Sequence, residues 1–394
     1  CAPCCAQRAE GRMGERQCNN SAELRDGAAA FHKKEDAVTG PRGNYGAELL
    51  DGKWFEDHVA ALLAFCQYPA VEYKARLAFL DTPYDDPALW ALRQAFLKSD
   101  IVEEMYQEQD EHGGWGRLQS KDYSVKAKIP TSMVGIKRCL YIGLTIEDRD
   151  ILFMAGEYLQ SFLDGTSHEK LWEKNERALP WNRAIVCNLL EAISPEQSLC
   201  DETYRQWLYI AGRAYEGGEY SYERDKAAQH EVFLTRESRL VPMQSELLLR
   251  RRREVPAALE DAMLRHLGGI ANERGYFWEK TPQKLPENFA ERQTRRWFET
   301  FNYINQFKGS GMYLQGAVEW LLENVREDGL WDWGPQTKDP WGYFRYFSCS
   351  RNYRHNRVVD CTMEVLGFLK QYAENNGAEF PEKRRLERHV SEDA

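Results

Sequence analysis

Apolar positions along this chain recur at helical rather than strand spacing. Ile151, Leu152, Ala155, Tyr158, Leu159, Phe162 and Leu163 follow one helical stripe, as do Leu314, Ala317, Val318, Leu321, Leu322 and Val325. Each stripe has a charged back, which predicts helices with one buried face. Three other segments, Met133 to Leu144, Ala184 to Ile193 and Val358 to Leu369, are apolar nearly all round. A helix without a polar face must be surrounded, so these read as inner helices and the amphipathic ones as outer helices. Boundaries are marked by Ser194-Pro195-Glu196-Gln197, which reads as a capping box with proline at the first helical position, and by Thr145 with Asp148.

Between the helices recurs a turn of glycine followed by an aromatic. It appears at Asp51-Gly52-Lys53-Trp54, Gly113-Gly114-Trp115, Asp164-Gly165 with Trp172 behind it, Gly217-Gly218-Glu219-Tyr220, Gly275-Tyr276-Phe277-Trp278 and Asp328-Gly329-Leu330-Trp331. The spacing, roughly 50 to 60 residues, is that of two helices and two connections. Six such turns predict an all-α chain folded as a single α/α toroid of about six helix-pair repeats over residues 46–375. Residues 1–45 read as a disordered leader, or as upstream translation ahead of a true start at Met13, and 376–394 as a polar C-terminal tail.

Composition narrows the function classes. No apolar run reaches the 18 residues of a membrane span. A formal charge of −10 argues against nucleic acid, which needs a basic face to displace counterions. The one dense basic run, Arg250 to Arg253, reads as a helix C-terminus. Cys1, Cys4, Cys5 and Cys18 lack the second ligand pair of a zinc site, and Cys66, Cys139, Cys187, Cys200, Cys349 and Cys361 lie mostly in apolar runs as small hydrophobes. Reduced cysteines and the lack of a secretory pattern predict a cytoplasmic protein with no metal and no cofactor.

Gln109-Asp110-Glu111-His112-Gly113-Gly114-Trp115 carries the QxxxGxW pattern, and Val325 to Trp331 repeats its spacing with valine in place of glutamine. Asp360-Cys361-Thr362-Met363-Glu364 resembles a DCTAE motif, with methionine fourth. On these motifs, residues 50 to 372 resemble the terpenoid-cyclase and protein-prenyltransferase toroids, including squalene and oxidosqualene cyclases. The resemblance implies that Asp360 is the proton donor that starts isoprenoid cyclisation. A carboxyl at the lip of an apolar cavity has its pKa raised, which suits that role. An aspartate ahead of an apolar helix is also what an N-cap looks like, and both roles stay open. Asp85-Asp86-Pro87 begins like a magnesium-binding DDxxD but lacks its last aspartate and marks a helix start.

Candidate ligand-binding residues gather at one end of the predicted ring. Trp331, Trp333, Tyr343, Arg354, His355 and Arg357 belong to an aromatic and basic stretch that suits an anionic or sugar-like ligand. Trp115 stands at a corner. Asp57 with His58, Thr131, Asn182 with Arg183, Gln244 and Asn302 read as inner-helix starts on the cavity rim. Three functions fit: proton-initiated isoprenoid cyclisation on Asp360, a lyase or hydrolase of acidic glycans using Asp57, Asp332 or Asp360 with His355 or a tyrosine, and a non-catalytic binding toroid. All three place a small molecule, isoprenoid or sugar, in a central cavity.

Overall fold

Asp51 turns the chain into its first helix, its carboxylate accepting the Trp54 backbone N–H at 2.8 Å. The computed structural model describes residues 50–120, 127–167, 178–233, 242–277, 292–332, 334, 347 and 354–376. All lie within the second of two units, Gly46–Ala394. Among them are fourteen α-helices and no strand. They are α1 (Gly52–Phe65), α2 (Pro69–Phe79), α3 (Pro87–Leu97), α4 (Asp100–Gln107), α5 (Ser132–Ile142), α6 (Ile151–Asp164) and α7 (Leu179–Ile193). There follow α8 (Asp201–Ala214), α9 (Tyr222–Phe233), α10 (Pro242–Arg250), α11 (Ala257–Arg274), α12 (Arg292–Ile304), α13 (Gly311–Glu323) and α14 (Arg354–Asn375). No described helix is long and apolar enough to cross a membrane.

The three wholly apolar segments fall in α5, α7 and α14, and the two amphipathic stripes in α6 and α13. Helix α2 packs against α5, α5 against α7 and α7 against α10. Tyr303 of α12 lies near Ser245 and Glu246 of α10, and burial pushes its phenol above the usual range. Phe298 of α12 meets Phe368 of α14. Helix α14 then packs on α1 and α2, the first of the described helices. There Lys370 pairs with Asp81 at 2.7 Å, both side chains at least nine-tenths buried, and its ammonium lies over the Phe55 ring.

Five of the six glycine turns follow a helix C-terminus. Gly165 and Gly275 are left-handed C-caps, and Gly113, Gly217 and Gly329 have φ near +80 to +90°. The sixth differs: Asp51-Gly52 begins α1 instead of ending a helix. Its glycine resembled the others in sequence, but the aspartate acts as an N-cap. Two other boundaries move. Ser194 ends α7, and Gln197 bonds its hydroxyl at 2.9 Å, while the next α-helix waits until Asp201 behind a 3-10 turn. Asp148 does accept the Thr145 N–H and hydroxyl at 2.8 Å, yet α6 begins only at Ile151.

Arg250 closes α10, as the basic run predicts, and Arg251 turns inward. Its guanidinium bonds Glu191, Asp201 at 2.6 Å and the Gln197 carbonyl at 2.8 Å. An internal ion cluster, not an anion site, accounts for this arginine.

His266 of α11 stacks on Tyr220 at 4.2 Å, and burial, with Arg274 nearby, pushes its pKa down to about 4. An unfolded histidine titrates near 6.5, so between the two values only the unfolded chain binds the proton and stability falls as pH falls. Allowing for screening of a part-exposed ring, His266→Gln should remove about 1–2 kcal/mol of the stability lost between neutral and acid pH. Urea titrations of both proteins across that range check this; parallel pH profiles would refute it.

Candidate functional site

The two tryptophan turns are built alike. In the first, the Asp110 carboxylate accepts the N–H groups of His112 and Gly114 at 3.0 Å, and Gln109 bridges the carbonyls of Gly113 at 2.8 Å and Ile151 at 2.9 Å. Trp115 is buried, its N–H donating to Ser132 Oγ at 2.9 Å and its indole N–H to the Met105 carbonyl at 3.0 Å. In the second, Trp331 donates its N–H to Thr362 Oγ1 at 3.0 Å and its indole N–H to the Leu321 carbonyl at 2.8 Å. Each ring wedges between two helices and spends its polar atom ten residues back along the chain.

The neighbours of the turns correspond as well. A β-carbon at Gly113 would collide with Met154 and one at Gly114 would crowd Tyr158, both of α6, while one at Gly329 would only touch Ala61 and His58 of α1. His58 stacks on Trp54 at 3.8 Å and on Trp331 at 5.5 Å, and burial lowers its pKa. Val325 replaces the bridging glutamine in this second turn.

Thr362 therefore belongs to the tryptophan clasp, and this explains the threonine of the Asp360-Cys361-Thr362 motif. Asp360 is not an N-cap: α14 starts at Arg354, and Asp360 lies in its second turn, fully buried. Its Oδ1 accepts the Phe347 backbone N–H at 2.9 Å. The apolar pattern begins only at Val358, which hid the polar first turn of the helix.

A cavity of about 310 Å³ opens between α2, α4, α5 and the first turns of α14. Tyr68, Val71, Asp100, Ile101, Glu104 and Arg138 line one side, and Cys66, Phe347, His355, Asn356 and Val359 the other. Glu104 and Arg138 form a mostly buried pair at 2.9 Å, with Lys128 a second cation 3.6 Å from Glu104. Burial raises the Cys66 thiol above its usual range, and Asp360 adds to this. Cys66 is thus a thiol at neutral pH, not a nucleophilic thiolate.

Of the residues nominated from sequence, His355 lines this cavity and stacks on Phe65 at 4.7 Å. Arg354 is exposed beside it. Arg357 is buried and committed to Asp332 by two bonds, of 2.9 and 3.1 Å. Trp115, Trp331 and Asp360 are core groups that do not line it. Asn182 is buried in the first turn of α7, while Asn302 is exposed near the end of α12, ten residues from that helix's start. Asp57 pairs with Lys53 on the exposed side of α1. Thr131 caps α5 through the Val134 N–H at 3.3 Å, and Asp86 caps α3 with Pro87 at its first position. Trp333 and Tyr343 lie outside the described residues.

Sequence reasoning missed Tyr68, Asp100, Glu104 and Arg138. The i, i+4 spacing of Asp100 and Glu104 puts both on one face of α4. Arg138, which with Lys137 interrupts the apolar run of α5, was the visible signal for a buried partner. Among the described residues no group of three His, Cys, Asp or Glu could hold a metal ion. The chain matches no protein-family model, no curated protein and no solved structure.

Proposed function

We propose that this chain is an α/α toroid of six helix pairs that binds a small polar molecule in the cavity between α2, α4, α5 and α14. The pairs are α1 with α2, α3 and α4 with α5, α6 with α7, α8 and α9 with α10, α11 with α12, and α13 with α14. Closure is supported by the last tryptophan turn, which rests on α1 as the earlier one rests on α6. The terpenoid-cyclase likeness extends, in this reading, to the architecture and the tryptophan corners.

The observation that carries the binding role is the lining. Asp100, Glu104, Arg138, His355 and Asn356 make it polar, and Tyr68 and Phe347 are among its other lining residues. Its volume, equal to about ten waters, is at the lower end for ligand pockets and suits a molecule of monosaccharide size. A long isoprenoid would instead have to desolvate these charged groups. Asp360, held by the Phe347 N–H, has a structural task in this reading. A glycan-cleaving role stays as the second reading, because Asp100 and His355 line the same cavity.

Asn356→Trp should fill the mouth from a half-buried position. In a thermal-shift panel of monosaccharides and farnesol, the parent protein is expected to bind at least one sugar. The variant should lose about tenfold or more in affinity while melting within a few degrees of it. Saturable binding of farnesol alone, or sugar binding indifferent to Asn356→Trp, would reject this reading.

A further inference from the structure

Of the acidic groups lining the cavity, Glu104 is paired and Asp100 is not. Arg138 is committed to Glu104 at 2.9 Å, and Lys128 also approaches that carboxylate. Glu103, on the neighbouring face of α4, is occupied by Arg149 at 2.9 Å. Asp100, exposed at the first position of α4, makes no side-chain hydrogen bond or ion pair among the described residues, and it lines the cavity. One turn separates it from Glu104, so both carboxylates face the same space. Behind Phe347 the buried Asp360 adds a further carboxylate.

We infer that the cavity selects a ligand carrying a cationic amine, an amino sugar rather than an acidic one, with Asp100 as the counter-ion. The inference rests on the binding role proposed above and adds the ligand's charge. An anion placed here would meet Asp100, while the one lining guanidinium is already paired with Glu104. A protonated amine would meet a carboxylate with no competing partner, in a cavity that Tyr68 and Phe347 also line and where an aromatic ring can add to the attraction. The basic stretch around Arg357 had pointed the other way. Arg357, however, is spent on Asp332 and lies off the cavity.

Isothermal titration of the full chain with glucosamine, glucose and glucuronate tests this at low salt and about pH 6, where an ordinary amine is protonated. Glucosamine should bind about tenfold tighter than glucose, the size of one part-exposed charge contact, and glucuronate weakest. Asp100→Asn should bring glucosamine down to the affinity of glucose, and Asp100→Glu should keep most of the preference. Equal binding of glucosamine and glucose, or preference for glucuronate, would overturn the charge assignment. The binding role would survive that result so long as Asn356→Trp still abolishes binding. Failure of all three sugars would remove the binding role itself.

Discussion

Trp331→Ala is expected to cost about 3–5 kcal/mol of unfolding free energy, the range for emptying a buried indole site. Trp331 is fully buried, and its ring is shared between α13, through the Leu321 carbonyl, and α1, through His58 and Trp54. Removing it leaves a cavity between the first helix and the last turn and strands a buried carbonyl. Trp331→Phe keeps much of the packing but not the N–H, so it should lose less than the alanine variant while still falling below the parent. Trp115→Ala should land in the same range, because Trp115 makes the equivalent two bonds to Ser132 and Met105. Urea unfolding followed by circular dichroism reads all three. A loss below about 1 kcal/mol for either alanine variant would mean that the ring is not a wedge between helices.

Lys370→Met should be the second large effect, again about 3–5 kcal/mol. The ammonium sits 2.7 Å from Asp81, with only 4% of the lysine side chain and 10% of the aspartate side chain exposed. Taking away the cation leaves an ionised carboxylate in a site built for a pair, and the cost is mostly that stranded charge. Asp81→Asn should lose less than Lys370→Met, because Lys370 also rests over the Phe55 ring. Replacing both should recover part of the loss, since a pair of neutral groups leaves no buried charge behind.

The sequence was informative where one residue type has one physical job. The stripe from Ile151 to Leu163 became α6, Asp86-Pro87 became a capped helix start, and Gly113 and Gly329 became positive-φ corners that a β-carbon would strain. It was less informative where a residue type has two. Asp51-Gly52 looked like a corner and is an N-cap. Asp360 looked like either a cap or an acid, and lies inside a helix because Arg354, His355 and Asn356 supply a polar first turn that apolar periodicity cannot register. The cavity was least legible. Its lining comes from separate helices, and Asp100 and Glu104 in sequence are two more charges on an amphipathic helix. Only the folded chain sets them opposite Arg138 and His355. The DCTAE-like motif was legible as a pattern but not as a task, because Thr362 clasps Trp331 thirty-one residues away.

Packing of α14 against α1 and α2 is what closes the array, and a double-mutant cycle on Asp81 and Lys370, 289 residues apart, tests that most directly. Unfolding free energies of the parent, Asp81→Asn, Lys370→Met and the double variant should give a coupling of about 2–3 kcal/mol, as expected for groups in buried contact. Additive losses, within about 0.5 kcal/mol, would mean that the two side chains never meet and that α14 does not close on the first helices.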